Sequence, residues 1–206
     1  MLTIPNLVGI LGTPISKNVD EVKVLRLGIL AVATAAFLTV LIAPLKAPAA
    51  PNVTSRPIPE SRLRLFHTHT NERLDIVFRR GDAYVPEALD ALNNFLRDHR
   101  TGDVHQYDPR VFDLLSDLIA SAGRPGAELQ IICGYRTPWS NNYLRTHSTG
   151  VAQNSLHMQA EAIDIRLPGT PIQKFRDLAL KLGRGGVGYY PASNFIHVDV
   201  GRVRRW

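Results

Sequence analysis

The run Leu27–Ala43 (LGILAVATAAFLTVLIA) carries no charged residue, and it sets the first limit on what this chain can fold into. Such a segment is out of place on the surface of a water-soluble domain, and it falls just short of the ~20 residues that span a bilayer. Lys23 and Arg26 precede it, Pro44 ends it, and Ala47-Pro48-Ala49 offers the small residues that signal peptidase requires. Residues 1–49 therefore read as an export signal. The alternative is an uncleaved anchor that would tie the protein to the inner membrane. The positive charges lie on the leading side, which places the rest of the chain outside the cytoplasm, in the periplasm or cell envelope. Asp20 and Glu21, and the length of the segment before the run, are unusual for such a leader. Residues 50–60, rich in Pro and Ser, read as a flexible linker. Residues 61–206 then remain for one folded domain.

The chain of 206 residues is 45% hydrophobic, enough for a real core without staples. Its single cysteine, Cys133, excludes an intramolecular disulfide. Cys133 follows Ile131-Ile132 and reads as part of a buried strand, not as a nucleophile. A net charge of +6 suits a polyanionic partner: a cell-wall polymer, anionic lipid or nucleic acid. No basic run is interleaved with aromatic residues as a nucleic-acid groove requires, so no nucleic-acid partner is expected.

Basic and apolar residues alternate from Arg62 to His67, which predicts a half-buried strand. His67-Thr68-His69-Thr70-Asn71-Glu72 turns it into a second arm, Leu74–Phe78. His67 and His69 share a strand face, but beside a turn and without a third ligand nearby they read as hydrogen-bonded residues. The spacing predicts a helix from Pro86 to His99, and a second one opened by Asp108-Pro109 that buries Val111, Phe112, Leu114, Leu115, Leu118 and Ile119. His99 and His105 fall at helix or loop edges and read as structural or solvent-facing. Glu128–Cys133 reads as a central strand that delivers Arg136 at its tip. There the planar guanidinium suits a substrate carboxylate, or else makes a surface salt bridge.

The polar stretch from Trp139 to Ser155 reads as a loop with a short helix at Ser140–Arg145, of the kind that rims a site, and His147 in it is a weak candidate for a substrate contact. A strand at Ala162–Leu167 sets Asp164 opposite in facing to Ile163 and Ile165. A helix capped by Thr170 follows, and then a glycine-rich turn, 183–188, that lacks the Lys-Ser/Thr pair of a phosphate loop. The strand Phe195–Val200 closes the domain, and Arg202–Trp206 reads as a basic surface tail. Strands and helices mixed in this order give an α+β fold with a small antiparallel sheet and helices on one side.

His157, Asp164, His197 and Asp199 stand out as chemistry. In the final strand His197 and Asp199 share a face, while Ile196, Val198 and Val200 take the other. Two imidazoles and a carboxylate make a set suited to Zn²⁺, with one position left for water. If His197 binds the metal, Asp199 can orient it from behind or reach the metal-bound water.

Ser155-Leu156-His157-Met158-Gln159-Ala160-Glu161-Ala162-Ile163-Asp164 resembles the Ser-x-His-x-x-Gly-x-Ala-x-Asp signature of the peptidase M15 group, the D-alanyl-D-alanine carboxypeptidase-like zinc enzymes. Gly134-Tyr135-Arg136 and Phe195-Ile196-His197-Val198-Asp199 complete the pattern. His67–Glu72, Leu92-Asn93, Leu96-Arg97-Asp98 and the His-Val-Asp-Val-Gly ending resemble the murein endopeptidase K branch. The resemblance spans the whole mature domain. It implies a Hedgehog/D-Ala-D-Ala-peptidase-like fold and a Zn²⁺-dependent hydrolase of peptidoglycan cross-links, with peptidoglycan as partner. It implies His157, Asp164 and His197 as metal ligands, and Arg136 and Ser155 as substrate-side residues. Asp199 is then the expected catalytic base, with Glu161 or a water network as fallback. Two positions depart from the pattern. Ala160 replaces the Gly, which is costly only if the backbone there has positive φ. Asn194 stands where some members carry an acidic base. A D,D-carboxypeptidase trimming terminal D-Ala, and a non-catalytic wall-binding domain, are the alternative readings.

Overall fold

The computed structural model describes residues 57–206; the expected export segment and most of the linker lie outside the described residues. Two hairpin arms open the domain, β1 (Glu60–His67) and β2 (Arg73–Arg80), followed by the short β3 (Ala83–Tyr84). Helix α1 (Pro86–Phe95) starts on Pro86, whose missing N–H costs nothing in a first turn. It stops four residues short of the expected His99, because Leu96–Asp98 turn out of the helix toward the loop after β4 (Glu128–Cys133). Leu96 carbonyl accepts the N–H of Tyr135, and Asp98 accepts the N–H and hydroxyl of Thr137 at 2.8 and 2.9 Å. These bonds tie the end of α1 to the segment that carries Arg136.

Helix α2 (Arg110–Ser121) buries the six expected apolar residues. Asp108 does accept the N–H of Arg110 at 2.9 Å, one step outside the assigned helix. After β4 come α3 (Pro138–His147), capped by Thr137, then the 3₁₀ helix Leu156–Gln159 and β5 (Ala162–Arg166). Helix α4 (Ile172–Leu182) is preceded by Pro171, so the cap expected at Thr170 falls one residue later. Strands β6 (Gly186–Tyr190), β7 (Phe195–Asp199) and β8 (Arg204–Arg205) complete the chain.

The fold is α+β, as the sequence predicts. The sheet is larger than expected and mixed: eight strands in the order β3-β2-β1-β4-β5-β7-β6-β8. Most pairs are antiparallel, while β1–β4 and β6–β8 run parallel. One face carries Leu63, Leu65, Leu129, Ile131, Ile163, Ile165, Ile196 and Val198, all buried in the core with α2 and α4 residues such as Phe112 and Phe175. The ladder between β4 and β5 is irregular between Ile131 and Cys133, so Ile131 pairs with Ile165 but Cys133 pairs with Asp164. That shift moves Cys133 off the core face and onto the face where Asp164 lies.

His67 is buried at the end of β1. Its Nδ1 accepts the N–H groups of His69 and Thr70, at 3.2 and 3.4 Å, so the proton sits on Nε2, which has no partner. Burial, with the nearby His69 adding to it, holds its pKa down to about 4. An unfolded chain protonates histidine near 6.5. The folded state therefore binds fewer protons, and the stability this group contributes is complete above about pH 6.5 and lost as pH falls toward 4. His67→Asn keeps the acceptor and removes the titration. Urea midpoints measured from pH 7 to 4 should fall less steeply for His67→Asn than for the wild type.

Candidate metal centre

Asp164 and His197 sit opposite each other on one rung of the β5–β7 ladder. Backbone pairing alone therefore brings the carboxylate and imidazole together. Asp164 Oδ1 lies 3.0 Å from His197 Nδ1 and 3.2 Å from His157 Nε2, and the two nitrogens are 3.1 Å apart. The three atoms form a nearly equilateral triangle. An edge of about 3.3 Å joins neighbouring ligands around a tetrahedral ion with bonds of about 2.0 Å.

His157 arrives from the 3₁₀ helix. Ser155 caps that helix, its hydroxyl accepting the N–H of His157 at 3.4 Å. At the other end Ala160 adopts φ 52°, ψ 40°, the left-handed conformation. So the Gly-to-Ala departure falls where it costs, about 1 kcal/mol or more for a residue with Cβ. The Ala160 methyl is fully buried and recovers about 0.8 kcal/mol. Ala160→Gly should thus be neutral to within about 1 kcal/mol in denaturant unfolding, where a buried alanine at ordinary φ would lose clearly.

The outer nitrogens fix the tautomers. His157 Nδ1 faces the carbonyl of Gly134 at 2.7 Å and so carries the proton, leaving Nε2 a lone pair. Gly134 comes this close because it has no side chain: a Cβ there would lie 2.5 Å from the Leu96 carbonyl oxygen. His197 Nε2 faces Asp199 Oδ2 at 3.1 Å and carries its proton there, leaving Nδ1 free. Two lone pairs and a carboxylate oxygen then meet with no hydrogen among them. That arrangement is repulsive unless a cation occupies the middle, and this donor set fits a divalent metal of the zinc type.

The electrostatics of the two imidazoles differ. Burial keeps the His157 pKa low, against the pull of Asp164. Burial also opposes protonation of His197, but its bonds to Asp164 and Asp199 outweigh burial and raise its pKa. Asp164 is buried, yet the two imidazoles hold it far below the ordinary carboxylate range.

Cys133 is a neighbour the sequence did not flag: Cys133, His157 and Asp164 offer atoms within 4.8 Å of one another. Burial pushes its thiol up to about 12, so it is protonated at neutral pH. We take His197, not Cys133, as the third donor, since its Nδ1 closes the triangle at hydrogen-bond distances.

Asp199 does not face the cleft. It is fully buried behind His197, where Oδ1 accepts from the N–H groups of Gly186 and Gly201 and from Arg204. Oδ2 accepts from His197 and from Arg204 Nη2 at 2.7 Å. Burial acts to raise its pKa, but these bonds hold it well below the usual range. With its lone pairs committed, Asp199 suits the orienting role and leaves none to take a proton from the cleft. Arg204, read as surface tail, anchors this carboxylate.

A cleft of about 340 Å³ opens over the triad. Arg136 lines it, 8% exposed, with Nη2 donating to Ser155 Oγ at 2.9 Å. Its Nε is buried without a partner, and it makes no ion pair among the described residues. Residues 148–152, in the polar stretch expected to rim the site, form part of the wall. His147 does not line the cleft; it stacks on Tyr143. His69 and His99 do line it, stacked at 4.2 Å beside Arg100, although the sequence suggested only structural roles for them. Glu161 is not part of the lining.

A buried His–Asp–His set at the floor of an open, partly cationic cleft defines a candidate metal centre with room for a ligand. The comparisons give it a lineage. A family model described as "Peptidoglycan L,D-endopeptidase MepK" within the M15 peptidases matches residues 57–206. The chain is 43% identical over 149 residues to the "Probable peptidoglycan L,D-endopeptidase MepK" of Haemophilus influenzae, covering 72% of this chain and 80% of that one. It is 41% identical over 144 residues to the "Peptidoglycan L,D-endopeptidase MepK" of Escherichia coli (strain K12), covering 70% and 79%. The chain belongs to the M15 peptidase family, in its MepK branch.

Asp199→Asn keeps the shape of the side chain and removes its charge behind His197. Zinc affinity, measured by competition with a chromogenic chelator, should fall by about 10–100-fold.

Proposed function

We propose that this protein is an exported, zinc-dependent endopeptidase that hydrolyses peptide cross-links in peptidoglycan, at a bond between an L- and a D-configured centre. The observation that carries this reading is the meeting of three metal donors with an uncompensated, buried guanidinium in one cleft. Membership of the MepK branch supports the substrate, and the apolar run Leu27–Ala43 supports export to the compartment where that substrate lies.

His157, Asp164 and His197 would hold the ion. Zn²⁺ bound there would supply Lewis acidity for the scissile carbonyl and a water that ionises near neutral pH. Asp199 holds His197 in the tautomer that presents Nδ1, and the Gly134 carbonyl does the same for Nε2 of His157. Arg136 offers a planar, permanently charged fork to a carboxylate of the peptide strand. Ser155 keeps that fork in place while capping the helix of His157, so ligand and substrate contact share one support. Asp199 is committed behind His197 and Glu161 lies outside the lining, so neither of these two carboxylates faces the cleft. The stacked His69 and His99 line the cleft as neutral imidazoles at neutral pH, because burial lowers both, His99 to about 4.

Purified mature protein incubated with isolated sacculi should release products with fewer cross-linked dimers, and chelator or His157→Ala should abolish this. Release of D-Ala alone would assign a carboxypeptidase instead, and binding without cleavage a wall-binding domain. Arg136→Ala should raise KM by about 10–100-fold, the scale of one charged hydrogen-bonding group. Arg136→Lys should not restore it, because an ammonium lacks the fork.

A further inference from the structure

Trp206 stands at the lip of the cleft, and nothing about a surface tail explains how tightly it is held there. Its backbone N–H donates to the Val187 carbonyl at 3.3 Å, and its carbonyl accepts from Tyr189 at 3.1 Å. Its indole N–H donates to the Tyr190 hydroxyl at 2.9 Å. The ring lies on Gly188, where a Cβ would come within 2.7 Å of it. The Arg204 guanidinium sits 4.9 Å from its centroid, and the His197 imidazole 5.1 Å away.

The ring nevertheless stays half exposed and lines the cleft. Beside it Tyr190 and Phe195 stack at 4.6 Å on paired positions of β6 and β7, and both also line the cleft. Three aromatic rings on adjacent segments therefore form one wall, next to a metal donor. Trp206 is a large side chain of the kind that is rarely covered completely. This one is fixed at backbone, N–H and ring, and leaves apolar surface toward the cleft.

Resting on the proposed function, we propose that Trp206 is a substrate-binding platform, which holds an aliphatic side-chain stem of the peptide strand beside the metal. The indole N–H is already spent on Tyr190, so the open part of the ring offers only apolar and π surface. That suits a methylene chain.

Trp206→Ala should raise KM for a cross-linked muropeptide dimer about tenfold, with kcat within about threefold and zinc content unchanged. Trp206→Phe should recover most of the loss. Gly188→Ala, whose methyl displaces the ring, should reproduce the alanine effect with Trp206 intact. The chain has two tryptophans, so in Trp139→Phe protein the emission comes from Trp206 alone and should shift to the blue when the dimer is added. If KM and emission do not change while the wild type cuts the dimer, the platform is overturned and the proposed function stands. If zinc content and kcat fall together at constant KM, Trp206 merely supports His197 and the platform is again overturned. Wild-type protein that neither binds nor cuts the dimer overturns both.

Discussion

Everything in the site depends on one carboxylate shared by two imidazoles. Asp164 Oδ1 faces His157 and His197 at nearly equal distances, and each imidazole is turned toward it by a bond on its far side. Such sharing is unfavourable for an empty pocket and favourable for a bound cation. It is also expensive to bury, and the surrounding structure offsets it locally: Gly134 supplies a carbonyl, Asp199 a second carboxylate, and Arg204 the charge that makes a second buried carboxylate tolerable. Arg204 offsets the charge of Asp199, and His197 lies between that pair and Asp164.

The sheet explains why these groups meet. The β5–β7 rung sets two of the donors, and the parallel entry of β4 beside β1 brings the Gly134–Arg136 segment alongside. Asp98 and Leu96, at the end of α1, then hold that segment by backbone and side-chain bonds. A glycine at 134 is required by this close approach of two backbones, whatever the chemistry of the site.

Much of this was legible from residue pattern. Alternation in Arg62–His67 and Phe195–Val200, the apolar stripe of α2 and the Pro start of α1 are local signals, and local signals survive into the fold. The His157–Asp164–His197 set was readable through its motif. What the sequence could not show is decided by contacts distant along the chain. The shift that turns Cys133 toward Asp164 depends on how two strands pair. The burial of Asp199 depends on Arg204 folding back, and a basic tail carries no mark of that. His69 and His99 look like edge residues until β1 and the end of α1 are packed together. The positive φ at Ala160 could be posed as a question from the motif, but only the backbone answers it.

The three donors differ in how much freedom must be surrendered to assemble them. Asp164 and His197 are locked by strand pairing before any ion arrives, so neither loses much disorder on binding. His157 rides on a helix of a single turn, held by one serine hydroxyl, the Gly134 carbonyl and backbone bonds from the N–H groups of Arg136 and Asp108 to the His157 and Ala160 carbonyls, not by a strand ladder. The entropy of forming the centre is therefore concentrated in one ligand. An ion would act less as a scaffold for the sheet than as a latch on the segment 155–160, which also carries the hydroxyl that steadies Arg136.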